Sequence, residues 1–397
     1  MTRQFFFAPV VLPHYNHRHQ QRFAIGAASH KVAGMAASVR GQGRRTFIVS
    51  SPIVTASLGQ LFFKGFACRE GRVACAYLAS IKIRGLNRLF SALAYLWFAW
   101  REIRRDDSVV LYNYFPEYIL LAAWLRLRNG RERVVIDLED GPRSDENDLR
   151  GYSNRLSFRI LTRLCSKRSI VVSQQLATLL GLTDVCVVNG VSSDVQLRTR
   201  AFQKPVVFLY GGSIQLETGL QLFIEGVRLF AQIHGELAGQ VHFVVTGFGG
   251  TAQLNALAQE VGPAGVLVSV RQDIGPDEYR RTLADADVGL SLRMPGDQIN
   301  GTTFPSKVIE LASHGLLLLT TEVSDIALLF NQNTAAILPQ ATPRVLADQI
   351  AAIANNPDYF AQVARAGQRA IAARCSGPSV GRRLVEFLNP LSLGEAP

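Results

Sequence analysis

The sequence predicts two doubly wound α/β domains in tandem, each built on a parallel β-sheet with helices on both faces. Three observations support this prediction. Short apolar runs rich in β-branched residues alternate with helical stretches along the chain, a pattern typical of parallel sheets. The alternation stops at a polar segment, residues 192–204, and restarts after it. The length of 397 residues suits two domains of the ordinary size of ~100–200 residues.

The first domain is predicted over residues 1–200. Its strands are expected at Phe5–Val11, Thr46–Ser50, Val73–Leu78, Val109–Tyr112, Val134–Asp137, Ser169–Val172 and Val185–Val188. The segments between them have helical periodicity, and helices are expected at Ser29–Arg40, Leu86–Ile103, Glu117–Leu127, Tyr152–Cys165 and Ser173–Leu180.

The second domain is predicted over residues 201–378, and a C-terminal helix over residues 379–397 is expected to return to the first domain. Its strands are expected at Val206–Tyr210, Val241–Thr246, Val266–Val270, Val288–Leu292 and Leu316–Thr320. Its helices are expected at Leu220–His234, Ala252–Val261, Pro276–Ala286, Pro305–Ser313 and Thr342–Asn355. Ligands of such sheets bind beyond the carboxyl ends of the strands, so a site is expected in a cleft between the domains.

Composition agrees with folded domains. The chain is 48% hydrophobic and 18% charged, and this apolar content excludes a disordered protein. No run reaches the roughly 20 apolar residues of a spanning helix. The five cysteines form no Cys-x-x-Cys pair, which argues against a disulfide framework or zinc ribbon and favours a cytoplasmic location.

The positive charge is concentrated in the first half. Residues 1–200 contain 29 Lys and Arg against 14 Asp and Glu, whereas residues 201–397 contain 13 against 17. An anionic partner of the first domain is therefore expected, and an acidic membrane surface or a phosphorylated acceptor would suit. A solvated basic surface is the alternative. Nucleic acid is disfavoured because no known motif or basic–aromatic interleaving accompanies the charge.

One helix stands out by its apolar character. The segment Leu86–Trp100 is flanked by arginines that include Arg84, Arg101 and Arg104. It could lie at the interface of an anionic membrane, at the inner face of the plasma membrane. A core helix that crosses between two strands of a parallel sheet is the favoured interpretation.

The segment from Asp285 to Glu310 carries the most chemistry. The predicted strand Val288–Leu292 ends in a polar loop that contains Arg293, Thr302 and Thr303. A helix is predicted to begin at Pro305, with Ser306 and Lys307 in its first turn, where free amides and the helix dipole attract anions. Glu310 follows in the next turn and could accept hydrogen bonds from the two hydroxyls of a ribose. The alternative is an ordinary capped helix with a solvated Lys307–Glu310 pair.

Two glycine-rich loops favour the ligand interpretation. Gly211 and Gly212 follow the strand Val206–Tyr210, and Gly247 follows the strand Val241–Thr246. Glycines at these places let the backbone approach a phosphate. A single Gly-Gly turn is weak evidence, but these two loops and the helix start at Pro305, all at one edge of one sheet, together predict a nucleotide site.

These motifs, in the order YGGSIQLETGL, VTGFGG, DADVGLSLRMP and TTFPSKVIELASHG, resemble the donor-binding domain of the retaining glycosyltransferases of GT-B fold, in the large family four. The first half is similar in a helix that carries His30 and Lys31 and in LYNYFPE, VVIDLEDGP and VVNGVSSD. The resemblance covers nearly the whole chain. It implies two Rossmann-like domains facing a cleft, the first on the acceptor side and the second binding the donor. It also implies transfer from a nucleotide diphosphate sugar without a metal.

The resemblance also implies roles for individual residues. Glu310 matches the carboxylate that holds the donor ribose, and Gly212 matches the invariant glycine of the donor loop. Thr302 stands where many relatives have a glutamate that touches the donor sugar. Ser213 and Thr218 stand where many relatives have an arginine and a lysine on the diphosphate.

Two cations are candidate replacements for the missing pair, Arg293 and Lys307. Glu139 stands where many relatives have a histidine reaching the donor sugar. The expected catalytic residues are therefore Glu139, Arg293 and Lys307. Those expected to bind the donor are Gly212, Ser213, Gly247, Thr302, Thr303, Ser306 and Glu310.

The function expected from the sequence is retaining transfer of a sugar to a saccharide or polyprenyl-diphosphate-linked acceptor in surface polysaccharide synthesis. No cofactor is expected, because the nucleotide sugar is a substrate. A sugar-nucleotide-binding protein without catalysis and a nucleotide-sugar epimerase of the same architecture are the alternatives. Three histidines, His14, His17 and His19, are expected to lie in a loop that lines the acceptor entrance, with a metal site as the less favoured interpretation.

Overall fold

The computed structural model describes residues 2–20, 26–52, 60–83, 85–142, 148–192, 197, 201–296 and 303–389. The chain forms two compact units. The first unit consists of Met1–Ser193 together with Gly377–Pro397, and the second unit is Asp194–Ser376. Both are α/β units with parallel sheets, so the predicted fold class is confirmed.

The first unit is built on an eight-stranded sheet with the strand order β10-β9-β8-β7-β1-β2-β5-β4. All neighbouring strands are parallel except β4, which is antiparallel to β5. The strands of the unit are β1 (Arg3–Phe7), β2 (Arg45–Ser50), β3 (Phe62–Phe63), β4 (Phe66–Glu70), β5 (Val73–Tyr77), β6 (Ser80–Ile81), β7 (Ser108–Tyr112), β8 (Val134–Leu138), β9 (Ser169–Val171) and β10 (Val185–Val187). The short strands β3 and β6 pair separately as an antiparallel ribbon.

Helices cover this sheet between its strands. They are α1 (Pro13–His19), α2 (Ala27–Gly41), α3 (Leu86–Glu102), α4 (Ile119–Asn129), α5 (Leu149–Leu164) and α6 (Gln174–Leu179). A helix from the C-terminal part of the chain, α14 (Gly377–Phe387), packs against α2. Its buried residues Val380 and Leu384 belong to the same core as Val32 and Met35 of α2.

The second unit has a six-stranded parallel sheet with the order β13-β12-β11-β14-β15-β16. Its strands are β11 (Val206–Ser213), β12 (Val241–Phe248), β13 (Leu267–Gln272), β14 (Val288–Ser291), β15 (Leu317–Thr321) and β16 (Ala336–Leu338). Its helices are α7 (Leu220–Ile233), α8 (Thr251–Val261), α9 (Pro276–Asp285), α10 (Lys307–Ser313), α11 (Ile326–Leu329), α12 (Pro343–Asn355) and α13 (Pro357–Cys375). No helix among the described residues is both long and apolar enough to span a bilayer.

The structure corrects several predicted elements. The histidine-rich segment is the helix α1 rather than a loop, and it begins at a proline, which suits a first turn. The helix α10 begins at Lys307, because Pro305 lies before the first turn and Ser306 is its N-cap residue. The elements β3, β4, β6, β16, α11 and α13 were not predicted.

The strands that matter for a site are the three in the middle of the second sheet. The strands β12, β11 and β14 are neighbours, and all run parallel. Both β11 and β12 extend beyond their predicted ends at Tyr210 and Thr246 and include their glycines. The register pairs Gly211 with Thr246 and Gly212 with Gly247. The glycine loops therefore lie side by side at the carboxyl edge of the sheet.

Candidate active site

The two glycine loops of the second unit pack directly on each other. Gly212 and Gly247 have positive φ angles of 110° and 114°, which side chains of L residues rarely allow. A methyl group at Gly247 would lie 2.0 Å from the carbonyl oxygen of Gly212. No residue larger than glycine fits at Gly247. The backbone of both loops is thereby left bare at the edge of the sheet.

Lys307 lies across this bare backbone. A methyl group at Gly212 would be 3.1 Å from the Nζ atom of Lys307, and one at Gly211 would be 3.5 Å from it. Burial lowers the pKa of Lys307, and the nearby Glu310 carboxylate works against this effect. A cation held at a glycine loop beside a helix start is suited to bind a phosphate.

Tyr279 of α9 contacts both Lys307 and Glu310 of α10. The ammonium of Lys307 lies over the Tyr279 ring, 5.3 Å from its centroid, a cation–π contact. The Tyr279 hydroxyl donates a 3.0 Å hydrogen bond to Oε2 of Glu310. Burial, and then the Glu310 carboxylate, raise the pKa of Tyr279. The Glu310 side chain is thus oriented by a neutral donor from a neighbouring helix.

Thr246 adds a hydroxyl to the same edge. Its side-chain oxygen is buried and has no hydrogen-bond partner within the described part of the chain. A methyl group at Gly211 would lie 2.6 Å from this oxygen. Buried polar groups are normally paired, and a ligand phosphate over Gly211 would supply the missing partner.

Arg293 lies just after the end of β14, and its side chain contacts the segment that precedes α10. Its Nη1 atom donates a 2.7 Å hydrogen bond to Oγ1 of Thr303, and its carbonyl oxygen accepts a hydrogen bond from the Thr321 hydroxyl. The first contact holds the guanidinium at Thr303, and the second holds the Arg293 backbone at the end of the neighbouring strand β15. Thr302, a predicted donor-binding residue, lies outside the described residues.

The two residues at the positions of the missing cations have different surroundings. Ser213 is the last residue of β11. The Thr218 hydroxyl accepts from the Gln215 amide at 2.9 Å and lies 2.8 Å from the Ser213 carbonyl oxygen, to which it donates. Thr218 therefore stabilises the turn that follows Gly212. Ser306, a predicted donor-binding residue, makes no side-chain cap of α10.

Glu139, the predicted catalytic residue of the first half, belongs to a buried charged cluster in the first unit. The Nζ atom of Lys31 contacts Oδ1 of Asp137 at 3.1 Å and also bonds Oε1 of Glu139. Asp137 is fully buried, and its Oδ2 atom has no partner within the described residues. Burial raises the pKa of Asp137 to about 7, with Lys31 acting against burial and Glu139 with it. For Lys31, burial works to lower the pKa, but the two carboxylates outweigh it and raise the pKa.

A cavity of about 650 Å³ opens at the carboxyl edge of the first sheet. Its wall includes three aromatic side chains and two charged ones, namely Tyr112, Tyr114, Phe115, Arg88 and Asp140. Asn113, also in the wall, has a positive φ of 60° and a buried side-chain oxygen without a partner among the described residues. Aromatic faces beside polar groups are typical of a pocket for a polar organic ligand.

The histidines after β1 do not form a metal centre within the described residues. His14 Nδ1 lies 2.7 Å from Oε1 of Glu70, and the His19 ring contacts the aromatic rings of Tyr15, Phe63 and Phe66. In the described ranges, no group of three or more His, Cys, Asp or Glu side chains could hold a metal ion.

Three residues of these sites were not singled out by the sequence. Tyr279 has no local motif, because its role depends on packing between α9 and α10. Thr246 lies inside the motif VTGFGG and could have been found from its place at the strand end. Lys31 was noted as part of the first-half resemblance, but only the structure brings it to Glu139 across 108 positions of sequence.

Comparison with known proteins agrees with this geometry. Residues 222–386 match the family model described as glycosyl transferase-like. A sequence search of curated proteins gives no match. The family match lies almost wholly in the second unit and includes Lys307 and Glu310.

Solved structures extend the similarity to the whole fold. An α,α-trehalose-phosphate synthase (UDP-forming) from Burkholderia vietnamiensis has a TM-score of 0.67 and 12% identity, with 98% of each chain covered. Anabaena HepE in complex with UDP has a TM-score of 0.61 and 12% identity, with 98% of this chain and 100% of that chain covered. TarM has a TM-score of 0.57 and 12% identity, with 75% of this chain covered and 58% of the TarM chain. The resemblance to GT-B glycosyltransferases is therefore confirmed at the level of the fold and of the glycosyl transferase-like segment.

Proposed function

We propose that this chain, which has the fold of the GT-B glycosyltransferases, transfers a sugar from a nucleotide diphosphate sugar to an acceptor hydroxyl. One observation carries the proposal: the Lys307 ammonium lies on the bare Gly211–Gly212 backbone, beside Tyr279 and Glu310. The second unit is the donor-binding domain. The same edge of its sheet thus offers a cation and a carboxylate, the two groups that a nucleoside diphosphate requires.

The diphosphate is the leaving group, and it gains charge as its bond to the anomeric carbon breaks. Lys307 is placed to stabilise that charge, with the Gly212 and Gly247 loops giving close approach. Preorganised charges of this kind are usually the largest catalytic contribution. Arg293 is the second cation, held by Thr303. Thr246 supplies a hydroxyl to the same phosphates.

The remaining donor contacts are assigned to the same edge. Glu310, oriented by Tyr279, holds the ribose hydroxyls. Ser213, at the end of β11, and Ser306, at the start of α10, contact the diphosphate. Thr302 is assigned to the donor sugar by the resemblance. No metal is required in this proposal, since Lys307 and Arg293 supply the positive charge.

The acceptor is proposed to enter the cavity of the first unit. Its aromatic wall suits the apolar faces of a saccharide, and Asp140 and Asn113 suit its hydroxyls. Glu139, held by Lys31, is proposed to reach the reacting sugar. The acceptor class is a saccharide or a lipid-linked saccharide, the reaction retains the anomeric configuration, and the setting is surface polysaccharide synthesis.

The first experiment measures nucleotide binding. Since the solved structure of Anabaena HepE holds UDP, UDP and GDP are the probes for isothermal titration calorimetry. Glu310→Ala is expected to raise the dissociation constant of the nucleotide roughly 10- to 100-fold, because the variant loses hydrogen bonds to a charged group. Tyr279→Phe, which keeps the ring, is the matched control and is expected to have a smaller effect. Unchanged affinity of Glu310→Ala for both nucleotides would overturn the ribose assignment.

The second experiment separates the enzyme from its alternatives. A labelled nucleotide sugar is incubated with candidate saccharides, and the products are separated and their anomeric configuration is determined by NMR. Transfer with retention supports the proposal. Nucleotide binding without any turnover, including hydrolysis, indicates a binding protein. A changed sugar still attached to its nucleotide indicates an epimerase.

A further inference from the structure

Helix α3 exposes a continuous apolar stripe. Five large side chains repeat along one side of the helix with the spacing i, i+3, i+7, i+11 and i+14, and each is 52–64% exposed; they are Leu86, Leu89, Leu93, Trp97 and Trp100. The opposite side of α3 is the buried one and carries Ser91, Ala92, Tyr95 and Ala99. The core of the unit therefore does not account for the stripe.

The neighbouring helices also expose apolar side chains. Helix α4 packs against α3, and α5 packs against α4. Both expose further large apolar side chains at helical spacing, namely Leu120, Leu127, Leu149, Tyr152 and Leu156. Proteins rarely leave so many large apolar side chains exposed to water, and such exposure indicates a binding surface. We call the outward side of these three helices the α3–α5 face.

The three helices of the α3–α5 face are strongly basic. The three helices contain eight arginines and one acidic residue, Glu102. Two of these arginines lie over indole rings: Arg101 is 5.5 Å from the Trp97 ring centroid, and Arg128 is 5.0 Å from that of Trp124. Tryptophan and arginine together are typical of helices that lie in the headgroup region of an anionic bilayer.

We propose that the α3–α5 face docks on the surface of an anionic lipid bilayer, with α3 lying in the plane of the interface. The leucines and the indole rings of α3 would enter the headgroup boundary, and the arginines would bind lipid phosphates. A second copy of the chain is a poorer occupant, because a two-fold interface would bring the arginines of both copies together. This inference goes beyond the proposed glycosyl transfer and does not depend on it.

The first test uses the unmodified full chain. All three tryptophans of the sequence, Trp97, Trp100 and Trp124, lie in α3 and α4, so tryptophan fluorescence reports on this face alone. Vesicles of phosphatidylcholine with phosphatidylglycerol are expected to shift the emission to shorter wavelength and to co-sediment the protein. Vesicles of phosphatidylcholine alone are expected to do so weakly. Salt is expected to release the protein, because it shortens the Debye length from about 10 Å at 0.1 M to about 3 Å at 1 M.

Matched variants identify the surface. The double variant Leu93→Gln with Trp97→Gln removes the centre of the stripe, and Arg104→Glu with Arg105→Glu reverses two exposed charges beside it. Each is expected to weaken partitioning into anionic vesicles at least about tenfold. Leu328→Gln and Arg369→Glu, at exposed positions of the second unit, are the controls and are expected to bind as the unmodified chain does.

The contrary results are equally specific. No emission shift and no co-sedimentation at low salt would overturn the proposal. Equal binding by the stripe variant and its control would also overturn it. Concentration-dependent self-association without vesicles, abolished by the stripe variant, would assign the face to a second copy instead.

Discussion

Lys307 is the residue on which the proposed donor site depends most. It is held between the Gly211–Gly212 backbone and the Tyr279 ring, whereas Arg293 is held through Thr303. Lys307→Met is expected to slow sugar transfer or donor hydrolysis roughly 100-fold or more, a typical cost of removing one electrostatic stabiliser. Arg293→Met is expected to slow the same reaction if both cations share the diphosphate.

The measurement is the rate with a saturating nucleotide sugar, compared with the exposed control Arg280→Met on α9. Rates within about twofold of the unmodified chain for both variants would show that the diphosphate is held elsewhere.

Because burial lowers the pKa of Lys307, its positive charge is lost at a lower pH than that of an ordinary lysine. Nucleotide affinity is therefore expected to decline on the alkaline side in the unmodified chain, and this decline should be absent in Lys307→Met.

The buried cluster around Asp137 predicts a pH dependence of stability. Burial raises the pKa of Asp137 to about 7, whereas the unfolded carboxyl titrates near about 4. Between these values the folded chain binds more protons, so the free energy of unfolding of the first unit is expected to fall as the pH rises. The stabilisation is complete below about pH 4 and is lost as the pH rises through about 7, and its size is on the order of a few kcal/mol.

Denaturant unfolding followed by tryptophan fluorescence measures this dependence, since all three tryptophans lie in the first unit. The unmodified chain is compared with Asp137→Asn over this pH range. The difference in unfolding free energy between the two should change with pH in the stated direction. A difference that stays constant would show that Asp137 is already ionised throughout.

At the scale of single residues, the sequence indicates which residues are candidates for the site better than it indicates which side chains they contact. Glu310, Lys307 and Gly212 could be singled out from the sequence because they follow a strand or lie in the first turn of a helix, and these are local features of the chain. The contacts of Tyr279 and Lys31 were not predicted, since they cross from one helix to another or from a helix to a strand end. Side-chain packing sets such contacts, and no spacing in the sequence encodes them.

At the scale of elements, the β11 and β12 loops show how closely two strands can approach. Gly247 is set against the Gly212 carbonyl with a positive φ. Gly247→Ala is therefore expected to displace the β11 loop and to destabilise the second unit by more than the roughly 1 kcal/mol of the φ penalty alone. Nucleotide affinity should fall with it.

Calorimetry of nucleotide binding and thermal unfolding check this expectation. Gly235→Ala is the matched control, because a methyl group there would meet no atom within 4 Å. A Gly247→Ala protein with normal stability and normal affinity would show that the two loops separate without cost. The glycine positions would then be no part of the donor site.

The elements that the sequence predicted correctly have strong periodicity. The parallel strands are buried on both sides, so each is a continuous apolar run, and their existence was clear. The strand β4 was missed because one of its faces is exposed to solvent, so its residues alternate between half-buried and exposed. It contains Arg69 and Glu70 and therefore forms no continuous apolar run. The helix α1 was missed because three of its seven residues are histidines, which carry little periodic signal.

At the scale of the whole molecule, the chain leaves the first unit, builds the second and returns. The return is made by α14, whose Leu384 is buried in the core of the first unit. A methyl group at Gly381 would lie 2.4 Å from the Ser38 carbonyl oxygen of α2, so the two helices are in close contact. The stability of the first unit therefore depends on residues that follow the second in sequence.

Leu384→Asp tests this dependence. The carboxylate would be placed in an apolar core, and the first unit is expected to lose about 3 kcal/mol or more of unfolding free energy. Tryptophan fluorescence should report this loss, because the tryptophans belong to that unit. Nucleotide binding by the second unit should stay close to normal. Arg382→Asp, at an exposed position of the same helix, is the control and should leave both properties nearly unchanged. If the unfolding free energy of Leu384→Asp equals that of the control, burial of Leu384 does not stabilise the first unit, and the packing of α14 on α2 has another role.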